Sequence, residues 1–359
     1  MSSTVTIADA TPPQLSHRLT AARLPRWAPA GIAAASIAVG CGIGAAAGLQ
    51  SHLQWGLLSA LLFLVVSYAV SASVEGRRQA KDRFATSLIW VSFICAVVPL
   101  VALTFYTVQQ GIGALSVDFL THSMKGVVAT LSPDGGIYHA IIGTIEQVLL
   151  ATLIAAPIGL LTAVYLVEYG RGRLAKAVTF FVDVMTGIPS VVAGLFILSL
   201  WNIALGFQYS GFSGSLALAI LMMPVVVRST EEMLKLVPNE LREASYALGV
   251  PRWKTILRIV LPTAIGGITT GVMLAVARIT GETAPVMMLV FGADFINSDP
   301  FNGPQQSLPL YIWQQYSQIN NDFGYERAWG AALVLIAFVM GLNLVARGIA
   351  RWRSPKGGH

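Results

Sequence analysis

Residues 243–262 read EASYALGVPRWKTILRIVLP, and this basic stretch lies between two long apolar runs. Its spacing predicts two short amphipathic helices separated by a tight break. Asn239 is placed to cap the first helix, and Glu240 and Glu243 fall in its first turn, where the positive end of the helix dipole favours carboxylates. Gly249 has the backbone freedom that a left-handed helix end requires.

The two predicted helices each carry a face at helical spacing. The first face comprises Leu241, Ala244, Ser245 and Leu248, and the second comprises Trp253, Ile256, Leu257 and Val260. Pro251 suits the first turn of the second helix, and Pro262 marks the entry into the next apolar run. We interpret the stretch as an element that docks a soluble partner onto a membrane domain.

The composition is that of an integral membrane protein. Hydrophobic residues make up 55% of the 359 residues and charged residues only 11%, whereas about a quarter of the residues of a soluble domain are charged. A helix needs about 20 apolar residues to cross a bilayer. Eight such runs are predicted as spans of an all-α polytopic fold, at about 27–49, 55–73, 85–108, 137–168, 177–201, 211–228, 263–291 and 328–346.

Basic residues predict the orientation of these spans. With the N-terminus in the cytoplasm, all of the 23 Lys and Arg residues except Lys125, Arg278 and Arg327 fall on the cytoplasmic side, as the positive-inside rule requires. Both termini are then cytoplasmic, with residues 1–26 as a tail rather than a signal peptide. The net charge of +6 is explained by this topology and by attraction to membrane lipid, so nucleic acid is not an expected partner.

The spans fall into two groups. Residues 27–84 are predicted to form a transmembrane hairpin and a basic loop; residues 85–350 form a six-span domain whose docking loop covers 229–262, and 351–359 form a second cytoplasmic tail. Cys41 and Cys95 lie in predicted spans without paired spacing, so neither a disulfide nor a metal site is expected. The chain lacks a Gly-rich loop ending in Gly-Lys-Ser/Thr, so we expect it to bind no cofactor and no ATP itself.

Four charged residues fall within the predicted spans: Glu146, Asp183, Arg278 and Glu282. Inserting a charge costs at least about 2.5–3.5 kcal/mol, so such groups face a protein interior or a water-filled path. Arg278 and Glu282 are four residues apart and are predicted to share one helix face. Either they form an ion pair that locks neighbouring helices, or Arg278 supplies positive charge to an anionic substrate and Glu282 orients or gates it.

The remaining site predictions concern residues near these charges. Thr280 and Thr283 are included in the predicted substrate path with Arg278 and Glu282. Helix breaks are predicted at Gly187, Pro189 and Pro285, because proline removes a backbone hydrogen bond and glycine loosens a helix. For Asp183 a snorkelling or helix-bonded carboxylate is the alternative to a path residue, and Glu146 is predicted to lie at the external interface.

The docking loop resembles the EAA loop of ABC importer permeases, an element that inserts into a groove of the ATPase subunit. The match rests on the full spacing of Glu243, Ala244, Ser245, Gly249, Ile259, Leu261 and Pro262, which the resemblance identifies as ATPase-coupling residues. Ser245 stands where the family motif has alanine, a minor departure in a position for a small residue.

Three further stretches narrow the resemblance. Residues 281–285 (GETAP), 186–196 (TGIPSVVAGLF) and 307–312 (SLPLYI) are similar to the permease subunits of the phosphate-specific transporter (Pst) family. The resemblance covers about residues 85–350 and implies the six-span core of a type I ABC importer permease, whereas the first 84 residues lie outside it. In that family a basic and an acidic residue in the span after the EAA loop are associated with phosphate translocation, and Arg278 and Glu282 match them.

The resemblance also implies partners and a location. A PstC-like permease would complete the pathway, a PstB-like ATPase dimer would bind ATP and Mg and carry out hydrolysis, and a PstS-like phosphate-binding protein would deliver the substrate. The chain would be a non-enzymatic subunit with no catalytic residues, in the bacterial inner membrane. Two alternatives remain at this point. One is a permease for another oxyanion, molybdate or sulfate, and the other is a self-sufficient secondary transporter, which leaves the docking loop unexplained.

Overall fold

The computed structural model describes residues 24–129, 132–318 and 322–353, and within these ranges the regular elements are helices. Residues 1–23 of the predicted N-terminal tail and 354–359 of the predicted C-terminal tail lie outside the described residues. The long apolar runs of the sequence all form helices, since a helix satisfies every backbone hydrogen bond within the segment.

The helices follow one another along the described chain without intervening strands. They are α1 (Ala28–Ala46), α2 (His52–Val74), α3 (Arg77–Gly111), α4 (Val117–Thr121), α5 (Tyr138–Val164), α6 (Gly172–Thr186), α7 (Ser190–Ile197), α8 (Gly211–Lys235), α9 (Asn239–Ala247), α10 (Arg252–Thr255), α11 (Leu261–Thr280), α12 (Ala284–Val290), α13 (Leu308–Ser317) and α14 (Asp322–Arg353). Wider π-helical turns extend three of them, at Tyr165–Tyr169 after α5, Leu198–Ala204 after α7 and Ile256–Val260 after α10.

The chain divides into two compact units, the first ending at Thr104 and the second beginning at Phe105. In the first unit α1 and α2 form a close antiparallel hairpin. A Cβ atom on Gly40 would overlap Ser59, and one on Gly44 would lie 2.7 Å from Trp55 Cδ1, so these glycines allow the helices to approach. Helix α3 is continuous through residues 84 and 85, where the sequence places a domain boundary.

Seven described helices are long and apolar enough to cross a membrane, and the number is eight if one bent pair counts as a span. That pair is α6 and the helix Ser190–Ala204, which meet at 108°. The predicted breaks at Gly187 and Pro189 lie at this bend. The predicted span over 177–201 is therefore bent within its length, because Pro189 holds an extended conformation at the start of α7.

A second predicted span is also interrupted. Helix α11 ends at Thr280 and α12 begins at Ala284, so residues 263–291 are not one helix. Gly281 lies at the end of α11, where its N–H donates to the carbonyl of Arg278 at 3.4 Å. Pro285 lies in the first turn of α12 and does not kink a continuous helix, because proline lacks an N–H to bond to the preceding turn.

The core of the second unit is built around α8. Of the 18 consecutive residues of α8 that are most apolar, 67% are buried, a larger share than in any other described candidate span. Small residues on α5 bring it close to α8; for example, a Cβ on Gly159 would lie 2.8 Å from Val226 Cγ1. The main cluster includes Val148, Ala151, Ala155, Leu218, Met222, Ala275 and Ile279, drawn from α5, α8 and α11.

Candidate coupling segment and substrate path

Residues 239–262, the coupling segment, form α9, α10 and the turn that leads into α11. Gly249 separates the two helices with φ +70°, and its N–H donates to the carbonyl of Tyr246 at 2.9 Å. The N–H of Val250 donates to the carbonyl of Ser245 at 3.2 Å. The prediction of two helices with a left-handed glycine between them is confirmed. Helix α10 continues without interruption into α11, giving one helix over Arg252–Thr280.

Both predicted helix starts differ from the structure by one residue. Pro238 occupies the N-cap position, and Asn239 is the first helical residue, where its Oδ1 accepts from Arg242 Nη1 at 3.3 Å. Pro251 is the N-cap of α10 rather than part of its first turn. Each proline holds an extended ψ, so the chain turns into the helix only at the following residue.

The two predicted faces are each divided between the interior and the surface. Ser245 and Thr255 are buried, and their hydroxyl oxygens lie 2.8 Å apart, which joins α9 to α10. Ile256 and Val260 are buried as well. The exposed remainder, here called the docking surface, comprises Leu241, Ala244, Leu248, Trp253 and Leu257.

The predicted ATPase-coupling residues occupy three environments. Glu243, Ala244, Gly249 and Pro262 are exposed, Ile259 and Leu261 are half-buried, and Ser245 is buried. The exposed members are accessible to a partner, whereas the buried ones support the shape of the segment. Leu248 is 83% exposed, an unusual position for leucine, because a fully buried leucine side chain is about 1.5–3 kcal/mol more favourable than an exposed one.

An ion pair that sequence reasoning missed fixes α9 to the membrane helices. The guanidinium of Arg242 donates to Glu168 Oε1 from Nε at 3.1 Å and from Nη2 at 2.9 Å. It also donates to the carbonyls of Leu234 at 2.9 Å and Val237 at 2.6 Å. The Glu168 side chain is only 3% exposed. Arg242 and Glu168 are 74 residues apart in sequence, so no local pattern indicated this contact.

Arg278 lies in the last turn of α11 and is exposed. Glu282 lies beyond the end of that helix, in the break before α12, and is half-buried. Among the described residues, no ion pair or hydrogen bond joins the two side chains. The predicted one-turn spacing on a common helix face is therefore wrong, because α11 ends between the two residues. The cation at this position complements the negative end of the α11 dipole.

The neighbouring threonines and proline have distinct environments. Thr280 is buried, and its hydroxyl donates to the carbonyl of Val276 at 2.7 Å, so it is engaged within α11. Thr283 is half-buried at the start of α12. Pro285 is buried against α7, where a Cβ on Gly194 would lie 2.9 Å from Pro285 Cα. The two breaks predicted from sequence thus begin helices, α7 and α12, that pack on each other.

The other two charges in the predicted spans both have partners. Asp183 on α6 accepts from Arg228 on α8, and Arg228 also donates to Glu231 Oε2 at 2.6 Å. Glu231 Oε1 accepts from Lys235 at 2.7 Å, which completes a chain of alternating charges along α8. Sequence reasoning assigned Arg228 to a cytoplasmic loop and missed this network. Pairing of this kind is the usual condition for charges within a membrane protein.

Glu146 is half-buried and contacts a buried group of amide side chains, Gln147, Gln305 and Gln306, here called the amide cluster. It accepts from Gln305 Nε2, and Gln147 Nε2 donates to Gln305 Oε1 at 3.0 Å and to the carbonyl of Gln306 at 3.2 Å. Gln147, Gln305 and Gln306 are all at most 2% exposed. The cluster ties α5 to the segment between α12 and α13, a connection over 158 residues that sequence did not reveal.

Comparison with known proteins defines the class. A family model described as binding-protein-dependent transport system inner membrane component matches residues 155–356. The matched region extends from the last part of α5 through the coupling segment to α14. In fold, the chain is similar to a protein in the crystal structure of a bacterial ABC transporter involved in the import of the acidic polysaccharide alginate, with a TM-score of 0.50, 17% identity, and coverage of 76% of this chain and 98% of that chain.

More similar relatives narrow the family. Phosphate transport system permease protein PstA 1 of Mycobacterium tuberculosis (strain CDC 1551 / Oshkosh) is 52% identical over 273 residues, 75% of this chain and 88% of that protein. Phosphate transport system permease protein PstA of Pasteurella multocida (strain Pm70) is 39% identical over 271 residues, 75% of this chain and 94% of that protein. The chain belongs to the PstA family of phosphate transport system permeases. The predicted fold class and family resemblance are confirmed.

Proposed function

We propose that this chain is the membrane-spanning subunit of an ATP-driven phosphate importer, that it forms half of the translocation pathway, and that the coupling segment meets a cytoplasmic ATPase. The observation that carries the proposal is the coupling segment itself, in a chain whose relatives are phosphate transport permeases. Its docking surface is apolar and exposed, and Arg242 fixes it to α5 and α8. Such a surface is suited to transmit a displacement of a bound partner to the spans.

Arg278 is the proposed anion contact of the substrate path. It is an exposed cation with no ion-pair partner among the described residues, at a point where a membrane helix is interrupted. A phosphate ion that leaves water needs a compensating positive charge, because an isolated charge is strongly disfavoured in a low-dielectric medium. Thr283 and Glu282, both half-buried in the adjoining break, are proposed to shape the same site.

The proposed assembly supplies what this chain does not. A PstC-like permease completes the pathway, and a PstB-like ATPase dimer binds ATP and Mg and hydrolyses ATP at the cytoplasmic side. A PstS-like protein delivers phosphate from outside. This chain itself binds no cofactor in the proposal. Its own contribution is the path residue Arg278, the helix break beside it and the docking surface.

Uptake by a reconstituted complex tests this function. Vesicles that contain the chain with its permease, ATPase and binding-protein partners should accumulate radiolabelled phosphate only when ATP is supplied on the ATPase side. Excess unlabelled phosphate should abolish the signal, and equal excesses of molybdate or sulfate should leave it nearly unchanged. Uptake that persists without the ATPase would instead indicate a secondary transporter. Equal competition by molybdate or sulfate would indicate a different oxyanion.

The proposed orientation places both termini and the coupling segment in the cytoplasm and the loop between α12 and α13 outside. Cysteine labelling tests it in a variant that lacks the native Cys41 and Cys95. We expect Ser298→Cys to react with an impermeant thiol reagent in intact cells, and Ala247→Cys to react only after the membrane is permeabilised. Both positions are exposed, so accessibility within the fold does not limit either reaction. The reverse pattern would overturn the orientation.

A further inference from the structure

A cleft of about 310 Å³ opens within the N-terminal unit, between the start of α1 and the facing parts of α2 and α3. It is lined by Pro29, Phe63, Ser67, Arg83, Thr86, Ser87 and Trp90. This volume is at the lower end of the range for small-molecule sites, about 300–1,000 Å³. It therefore suits a compact group, or one part of a larger ligand.

The cleft is polar at one end and apolar at the other. Counted along α3 from Arg77, Arg83 lies about 9 Å into the helix and Trp90 about 20 Å. Ser67 and Ser87 lie between these levels, both buried, with their hydroxyl oxygens 3.4 Å apart. Phe63 and Trp90 line the cleft beyond the serines, and Trp90 is 60% exposed. A ligand that fills the cleft must therefore carry a polar head and an apolar tail.

The charge at the polar end favours an anion. The first turns of α3 carry four basic residues, Arg77, Arg78, Lys81 and Arg83, against the acids Asp82 and, just before the helix, Glu75. Arg83 is held in place by Glu75, to which its Nη2 donates at 2.7 Å. Burial alone would raise the pKa of Glu75, but hydrogen bonds from Leu24 N–H, Ser71 and Arg83 lower it, so the carboxylate stays ionised.

This arrangement leaves Arg83 with unused donors. Its guanidinium has five N–H groups, of which the contact with Glu75 engages only those on one side. The side chain remains 31% exposed and lines the cleft. A fixed, partly desolvated guanidinium at the mouth of a cleft is well suited to bind a phosphate group.

We propose that this cleft binds one anionic phospholipid, with the headgroup phosphate on Arg83, the glycerol region beside Ser67, Thr86 and Ser87, and an acyl chain along Phe63 and Trp90. Basic pockets between membrane helices are a recurring type of site for such headgroups. The surface of α3 fits this occupant, because none of its 18 most apolar consecutive residues is buried. This apolar surface is therefore free to contact an acyl chain. A free phosphate ion would satisfy Arg83 but would leave the apolar half of the cleft unfilled.

Native mass spectrometry of the full chain in its assembled complex tests the proposal. The complex is stripped of lipid in detergent and titrated with phosphatidylglycerol, and the number of tightly bound molecules is counted. The double variant Glu75→Gln/Arg83→Gln removes the anion contact without leaving a buried carboxylate unpaired. It should bind one lipid molecule fewer, because the affinity of this site falls at least about tenfold. Thr86→Phe, which fills the cleft and leaves both charges intact, should lose the same molecule.

The control variant Lys81→Gln removes one positive charge from an exposed position on α3 that does not line the cleft. It should retain the bound lipid. If Lys81→Gln loses lipid as strongly as the double variant, the interaction is diffuse and the site is wrong. Displacement of phosphatidylglycerol by inorganic phosphate, or equal binding of phosphatidylcholine, would also overturn the proposal. The readout is lipid occupancy and is independent of transport, so its outcome does not depend on the proposed function.

Discussion

Gly249→Val should reduce ATP-driven phosphate uptake at least about tenfold, while the chain still inserts and assembles with its partners. Gly249 has φ +70°, and a residue with a β-carbon loses about 1–2 kcal/mol in that region. Beyond residue 249 and its two chain neighbours, no atom would lie within 4 Å of a Cβ at this position. The penalty therefore arises from backbone conformation alone. Relief of that strain would change the angle between α9 and α10 and so disrupt the docking surface.

Two variants separate this explanation from a general effect of added bulk. Gly249→Asn should retain much more uptake than Gly249→Val, because asparagine tolerates the left-handed conformation. Gly341→Val adds the same side chain to a helical glycine in α14 that also has open space around it, and it should transport normally. Uptake and ATPase stimulation are measured for equal amounts of assembled complex. Normal coupling in Gly249→Val would remove the coupling segment from the proposed mechanism.

Arg278→Gln should reduce uptake by roughly thirtyfold or more, since loss of one partner of a desolvated charge contact costs about 2–5 kcal/mol. Assembly and thermal stability of the complex should change little. The physical reason is that Arg278 is exposed in this chain and forms no ion pair with Glu282, so its removal leaves no buried carboxylate without a partner. Uptake at a range of phosphate concentrations, at matched complex levels, gives the measurement.

The matched controls test charge and pairing separately. Arg278→Lys keeps the charge and should retain part of the uptake, although lysine lacks the bidentate geometry of arginine. Arg278→Gln/Glu282→Gln should stay as inactive as Arg278→Gln, because the two side chains do not form a lock. Recovery of full uptake in the double variant would show that the charges act on each other and not on phosphate.

The features that could be predicted from the sequence are those that depend on residues close together in the chain. Long apolar runs are typical of helices that lie in lipid or pack on each other, and they predicted the all-α polytopic fold. Gly249 was predicted to take a left-handed conformation because few other residues adopt it, and the structure confirms this. The break near Gly281 was only half anticipated, because glycine and proline indicate a weak point but do not say whether the helix bends or ends.

The contacts that hold the site together were not predictable in the same way. Arg242 with Glu168, Arg228 with Asp183, and Gln147 with Gln305 each join residues far apart in sequence. Such pairs depend on how each helix is rotated about its axis. Spans that are apolar on every side show little apolar periodicity. The rotation of each helix about its axis could therefore not be predicted from a single sequence.

In the proposed mechanism, the anchoring of α9 lets the coupling segment act as a lever. Arg242 ties α9 to the ends of α5 and α8, whereas α10 is continuous with α11 through the π-helical turn Ile256–Val260. From Arg252 to Arg278 this continuous helix is about 40 Å long. In the proposed mechanism, a tilt of about 3° of this helix about its α10 end would displace Arg278 sideways by about 2 Å. A small displacement at the docking surface would then be passed along one helix to the residue proposed to meet the anion.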